Sequence, residues 1–133
     1  MIAYISGKGH GLAIALADAT QTFNSGALQT TPTAVSGGTW RMPSRTDWEN
    51  MFTACGVTND GETSSGNWTN KGFRDKLTAC VANVQTGDTY WSSSNSMLSG
   101  YVYCVYFDKD DECSFKSESK SETPFKVRAV LEF

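Results

Sequence analysis

The order of sequence signals predicts an α+β domain. Three observations carry this: a short apolar start at Ile2 to Ile5, a capped amphipathic segment opening at Ser44, and period-two alternation beyond Thr86-Gly87-Asp88. With 133 residues, 39% hydrophobic and 19% charged, the chain has the length of one domain and enough apolar material for a core without covalent staples.

Ile2 to Ile5 is β-prone, Gly7 to Gly11 supplies turn chemistry and Leu12 to Leu16 resumes an apolar run, so an opening hairpin is expected. Thr20 to Gly38 is rich in Thr, Ser, Gly and Asn around Pro32 and reads mainly as loop, with a helical turn near Gly26 to Gln29. At Ser44 a hydroxyl stands ready to cap orphan amides, Asp47 brings a carboxylate to the positive helix end, and Gly56 supplies a stop. Between them Trp48, Met51, Phe52 and Cys55 fall at i, i+3, i+4 and i+7, one apolar helical face.

A second helix is expected from about Lys71 to Val81, capped by Thr69 or Asn70, with Phe73, Leu77, Cys80 and Val81 inward. Cys55 and Cys80 would then end two apolar faces that meet in the core. Tyr90-Trp91 begins a strand, Ser92 to Gly100 reads as a polar loop, and Tyr101 to Phe107 alternates as a strand. Asp108 to Asp111 forms the turn and Glu112 to Lys116 returns. A last strand alternates Phe125, Val127, Ala129, Leu131 and Phe133, facing inward, with Lys126, Arg128, Val130 and Glu132, facing out.

Charge excludes some partners. The net charge is −3; residues 1 to 80 balance six basic against six acidic side chains, and residues 81 to 133 hold five against eight. Phosphate recognition needs a basic stripe, so no nucleic-acid partner is expected. The apolar run Leu12 to Ala17 is too short to cross a bilayer, so no direct membrane insertion is expected. The start lacks the features of a signal peptide, and the chain reads as a domain excised from a longer protein.

Cys55, Cys80, Cys104 and Cys113 show neither CxxC spacing nor a histidine at zinc-site distance, which leaves disulfides or buried thiols. If Asp108 and Lys109 are the two turn residues, Cys104 falls opposite Cys113 and the pair can be bridged; a four-residue turn breaks that register. His10, the one histidine, lies between glycines in the first turn. Asp108, Asp110, Asp111 and Glu112 could gather oxygens for Ca²⁺, but alternate turn residues diverge, and the run reads as a solvated tip. Asn67-Trp68-Thr69 fits a glycosylation sequon that carries no weight here.

Four motifs in order carry a family resemblance. Gly38 to Trp48 (GTWRMPSRTDW) resembles the W-R-L-P-(T/S)-x-x-(E/D)-W signature of a large bacterial group with the C-type lectin-like fold, with Met42 in place of Leu. Tyr90-Trp91-Ser92-Ser93 is similar to its Y-W-S-S, Phe125 to Val130 to its closing V-R-x-V strand, and His10 to Leu16 to its opening hairpin. The group includes the Fibrobacter succinogenes major paralogous domain, C-terminal domains of surface proteins, formylglycine-generating enzymes and the variable proteins of diversity-generating retroelements.

The resemblance implies two helices packed on small antiparallel sheets, with Ile2 to Ile5 paired to Val127 to Phe133. It also implies an extracellular or cell-surface bacterial setting. Trp40, Trp48, Pro43 and Arg41 read as scaffold, with Arg41 pairing locally. The Glu-Pro-Asn and Trp-Asn-Asp motifs of calcium-dependent sugar-binding relatives are absent, so no metal or other cofactor is expected.

Formylglycine-forming relatives use a cysteine pair, for which only Cys104 and Cys113 qualify by position; their surroundings lack His and carry acidic groups, which raise a thiol pKa, so no catalytic residue is assigned. The stretch Ser92 to Glu122 mixes serines with Tyr101, Tyr103 and Tyr106, giving rigid contact area beside adaptable hydrogen bonds. In the retroelement relatives this stretch carries ligand contacts and sequence variation. The expected ligand-binding residues are therefore Ser94, Asn95, Tyr101, Tyr103, Asp108, Lys109, Ser114 and Lys116, facing a protein or glycan at a cell surface. The alternatives are a structural or pilus-associated domain without its own ligand, and a degenerate formylglycine-generating-type enzyme.

Overall fold

A computed structural model describes residues 2–5, 9–23, 39–55, 67–69, 87–107, 112–121 and 124–133. The architecture is α+β, mostly strand, with one helix and two sheets among the described residues. In chain order the elements are β1 (Ile2–Ile5), β2 (Gly11–Ile14), β3 (Ala19–Gln21), β4 (Trp40–Arg41), α1 (Arg45–Ala54), β5 (Asn67–Thr69), β6 (Thr89–Asn95), β7 (Tyr101–Phe107), β8 (Glu112–Ser119), β9 (Phe125–Val127) and β10 (Val130–Glu132). A four-stranded sheet runs β1-β2-β10-β4, and a six-stranded sheet runs β3-β9-β6-β7-β8-β5. The expected second helix at Lys71 to Val81, with Cys80, lies outside the described residues, as do the helical turn at Gly26 to Gln29 and the acidic turn Asp108 to Asp111.

Helix α1 forms as its sequence dictates. Ser44, in extended backbone, accepts a hydrogen bond from the Asp47 amide (3.1 Å) while Asp47 Oδ2 accepts from the Ser44 amide (2.7 Å), a reciprocal capping box. Trp48, Met51 and Phe52 are buried and Cys55 is half-buried, the expected face. That face meets Leu12, Ile14 and Val130 from the smaller sheet and Tyr90, Val105, Phe107, Cys113 and Phe115 from the larger one. The main core is thus aromatic, with Tyr90 edge-on to Phe107 at 5.4 Å. A second core fills the other side of the larger sheet: Met42, Trp91, Val102, Cys104 and Val127, flanked by Phe23 and Phe125.

Five expectations change. The termini share one sheet, but β1 does not pair with the closing strand: β2 lies between them, bonded to β1 on one side and β10 on the other. The first hairpin, being local, fills one edge of β2 with β1 and leaves its other edge to β10. The closing strand is also two strands. It leaves the larger sheet after Val127 and enters the smaller one at Val130, so the expected inside–outside alternation breaks at Arg128-Ala129. Arg128, expected to face outward, is 1% exposed; the carbonyls of Ala15 (3.3 Å) and Leu16 (2.8 Å) accept from its guanidinium, and Asp18 pairs with it.

Thr20 and Gln21, read as loop, belong to β3, which pairs with β9. Finally, Ser92 to Asn95, also read as loop, extends β6, and β8 continues past Lys116 to Ser119. In both cases backbone pairing with β7 outweighs the weak strand preference of serine.

Candidate functional site

The motifs that lie far apart in sequence meet at one junction. The Pro43 carbonyl accepts from the Ser93 amide (2.9 Å), and Ser94 Oγ accepts from the Arg45 amide (2.9 Å), so the strand motif holds the start of α1. Arg41 spans Asp47, donating from both terminal nitrogens, one bond being 3.1 Å. Burial alone would push the Asp47 carboxyl up; the hydrogen bonds from Arg41 and Ser44 outweigh it and hold the group below the usual aspartate range. Trp91 donates its indole N–H to the Gln21 carbonyl (2.9 Å), and Tyr90 donates its hydroxyl to Asp18 (2.9 Å). Asp18 also receives Arg128 and lies 3.6 Å from Lys126, whose ammonium is held protonated chiefly by its hydrogen bond to Asp88. Each of these groups is bonded within the scaffold, so the junction orients elements.

The expected ligand residues ride on β6, β7 and β8, and register decides where each points. Tyr101 pairs with Ser119, Tyr103 with Ser117, Cys104 with Lys116 and Tyr106 with Ser114. Directly opposed residues share a sheet face. Tyr101 and Tyr103 therefore lie on the helix side, where Ser94 also reaches Arg45, whereas Ser114 and Lys116 lie on the far side with Cys104. Asn95, opposite Val102 across an irregular register, joins the far side. The six described candidates thus divide three and three between the two faces of the sheet. Asp108 and Lys109 lie outside the described residues.

Exposure differs within each group. Tyr101 is 38% exposed, but Tyr103 is half-buried beneath the Arg45 guanidinium, 4.5 Å from its ring centroid. Ser94 spends its hydroxyl on the helix start. On the far side Asn95 and Lys116 are exposed, Ser114 is half-buried, and the Lys116 ammonium sits 4.0 Å over the Tyr106 ring. Tyr106, outside the expected ligand residues, joins this group through the register of the β7–β8 pair, which sets it opposite Ser114.

The cysteine pairing also fails on register. Phe107, not Cys104, opposes Cys113, a shift of three residues from a two-residue turn. Cys104 packs in the far-side core and Cys113 in the main core, so the two sulfurs occupy opposite faces and no disulfide joins them. Burial first, then the charge of Glu118, pushes the Cys104 thiol far above its ordinary value, against a smaller opposing hydrogen bond at Ser92. Such a sulfur is a poor nucleophile.

His10 is exposed beside Gly9, whose φ of +80° turns the chain into β2. Among the described residues no group of three or more His, Cys, Asp or Glu side chains could hold a metal ion, and no helix is long and apolar enough to cross a membrane. No family model, no curated protein and no solved structure matches the chain.

Proposed function

We propose that this domain is a non-enzymatic, calcium-independent ligand-binding module of a bacterial surface or secreted protein, built on a C-type lectin-like scaffold. The order of the four motifs supports the scaffold reading, together with termini that share one sheet and a long hairpin in the other. One observation carries the binding reading: Asn95, Tyr101 and Lys116 are exposed on strands whose intervening residues Val102, Cys104, Val105 and Phe107 are wholly buried. A rigid platform that displays one aromatic ring, one amide and one cation binds without ordering its own backbone. The ligand wraps the free end of β6–β7 and continues along the far side, over Tyr106, Ser114 and Lys116. Tyr103 and Ser94 support this surface from beneath instead of touching the ligand. The far-side position of Cys104, its protonated thiol and its separation from Cys113 favour binding over formylglycine-type chemistry.

The test presents the domain to arrays of glycans and of purified bacterial and host surface proteins. Asn95→Ala, Tyr101→Ala and Lys116→Ala should keep the wild-type melting temperature, while the array member that binds wild type loses about 1 to 4 kcal/mol of affinity at the strongest of the three positions. If all three variants bind as wild type does, the surface is misassigned and a structural domain without its own ligand is the better account. A near-copy of the codons for Tyr90 to Phe133 beside a reverse-transcriptase gene would extend the proposal to a retroelement-diversified receptor.

A further inference from the structure

Strand β8 outruns its outer neighbour. It spans Glu112–Ser119 and pairs with β7 from Cys113 to Ser119, but on its other side β5 pairs only with Glu112, Cys113 and Ser114. From Phe115 to Ser119 that side is a sheet edge among the described residues, and Lys116 and Ser117 are exposed there. The ladder fixes which backbone groups face outward. The Lys120 amide donates to the Gly100 carbonyl (3.0 Å), in the same register that sets Glu118 against Val102 and Lys116 against Cys104, so these even-numbered residues turn their amides and carbonyls toward β7. Phe115, Ser117 and Ser119 therefore aim theirs outward, a donor and an acceptor from each, at the spacing a further strand requires.

The side chains of this edge select the strand. Lys116 and Glu118 share the far side, one on each side of Ser117, and neither forms an ion pair among the described residues. A strand that satisfies both must set an acid against Lys116 and a base against Glu118. Run antiparallel about Ser117, β8 does this for itself: Lys116 meets Glu118 of a second copy, and Glu118 meets that copy's Lys116. The same axis sets Ser117 against Ser117 and Phe115 against Ser119, so every outward amide meets an outward carbonyl. A shift of two residues in either direction would oppose Lys116 to Lys116 or Glu118 to Glu118. The ends fit as well, because β8 stops at Ser119, which falls opposite Phe115 of the other copy, the first residue beyond β5.

We infer that the outer edge of β8 pairs with itself: two copies of this chain join Phe115 to Ser119 antiparallel about a two-fold axis at Ser117, making one continuous sheet. Main-chain pairing along a sheet edge is a common mode of protein recognition, and an isologous contact uses one edge twice. Five residues a side make a small interface, so association is weak and concentration-dependent. The inference goes beyond the ligand reading, since it needs no ligand and rests on Glu118, Ser117 and the β8 backbone, which that surface does not use. Lys116 stays on the far side of the joined sheet, where two ligand surfaces then lie side by side.

Sedimentation equilibrium and amide NMR of the 133-residue chain, without ligand, test it at concentrations from about 20 µM to about 1 mM. The expected result is a monomer–dimer equilibrium in which the amide resonances of Phe115, Ser117 and Ser119 move with concentration, while those of Leu12 and Leu131 in the smaller sheet stay fixed. Lys116→Glu and Glu118→Lys should each keep a cooperative unfolding transition and weaken self-association about tenfold or more, because each sets like charges together twice across the axis. Mixed with one another, the two variants should associate about as tightly as wild type, since every Glu then meets a Lys. Net charge does not account for that rescue, because both variants remain acidic overall. A chain still monomeric at the highest concentration overturns the inference, as does a dimer indifferent to both reversals or a mixture no tighter than either variant alone. So does an edge whose amides respond only to a protein selected from the array, which gives β8 to a foreign strand.

Discussion

Asp47 concentrates more interactions than any other side chain at the helix start: it completes the capping box and receives both terminal nitrogens of Arg41. The spacing of Arg41, Ser44 and Asp47 in the tryptophan-flanked motif has a local physical reason, since a strand residue, a cap and the third helical residue all converge on one carboxylate. Because the folded carboxyl titrates below its unfolded value, its contribution is fully present above about pH 4, the unfolded aspartate range, and is lost as pH falls through the lower folded value. Asp47→Asn should therefore cost about 1 to 3 kcal/mol at neutral pH and flatten the acid limb of stability below about pH 4. Urea unfolding across pH 2 to 7 checks both; a variant with the wild-type acid limb would place the titrating group elsewhere.

At the scale of elements, α1 and the β6–β7–β8 meander account for most of the main core. Trp48 is fully buried, in contact with Phe52 (5.9 Å), Tyr90 (5.9 Å) and Phe107 (6.1 Å). Trp48→Ala should cost about 3 to 5 kcal/mol through the cavity it leaves, read from the denaturation midpoint at unchanged slope. A loss under about 1 kcal/mol would mean that the ring is not enclosed by both strands and helix. The helix was legible because its face, cap and carboxylate are all local. The far edge of β6 was not: Ser92 to Asn95 carries no strand preference, and only pairing with β7 and the bond from Ser93 to Pro43 hold it extended. For the same reason composition picks out candidate residues but not their face, since a shift of three in the β7–β8 register also moves residues between faces.

For the molecule as a whole, the two sheets are joined where the last strand crosses between them, and Arg128 sits at that crossing. Its guanidinium takes carbonyls from the end of β2's run and the carboxylate of Asp18, which also holds Tyr90 and lies near Lys126. Removing one partner strands buried charge, so Arg128→Ala should cost about 3 to 5 kcal/mol. Arg128→Met, which keeps the stem but not the charge, should also destabilise, because Asp18 loses its closest cation. Comparable midpoints for wild type and both variants would show that apolar packing alone holds the crossing.

The sequence by itself determined the α+β class, the hairpin at the start, the limits of α1, the scaffold role of Trp40, Trp48 and Arg41, and a serine- and tyrosine-rich candidate surface. These depend on spacing and local chemistry, which a linear chain carries. Tertiary structure alone decided that β2 separates the terminal strands, that the closing run divides between two sheets with Arg128 buried at the break, that Cys104 and Cys113 face apart, and that the candidate ligand residues divide between two faces. Each depends on which distant backbone amide finds which carbonyl, and a one-residue change in that choice reverses the direction of every side chain on the strand.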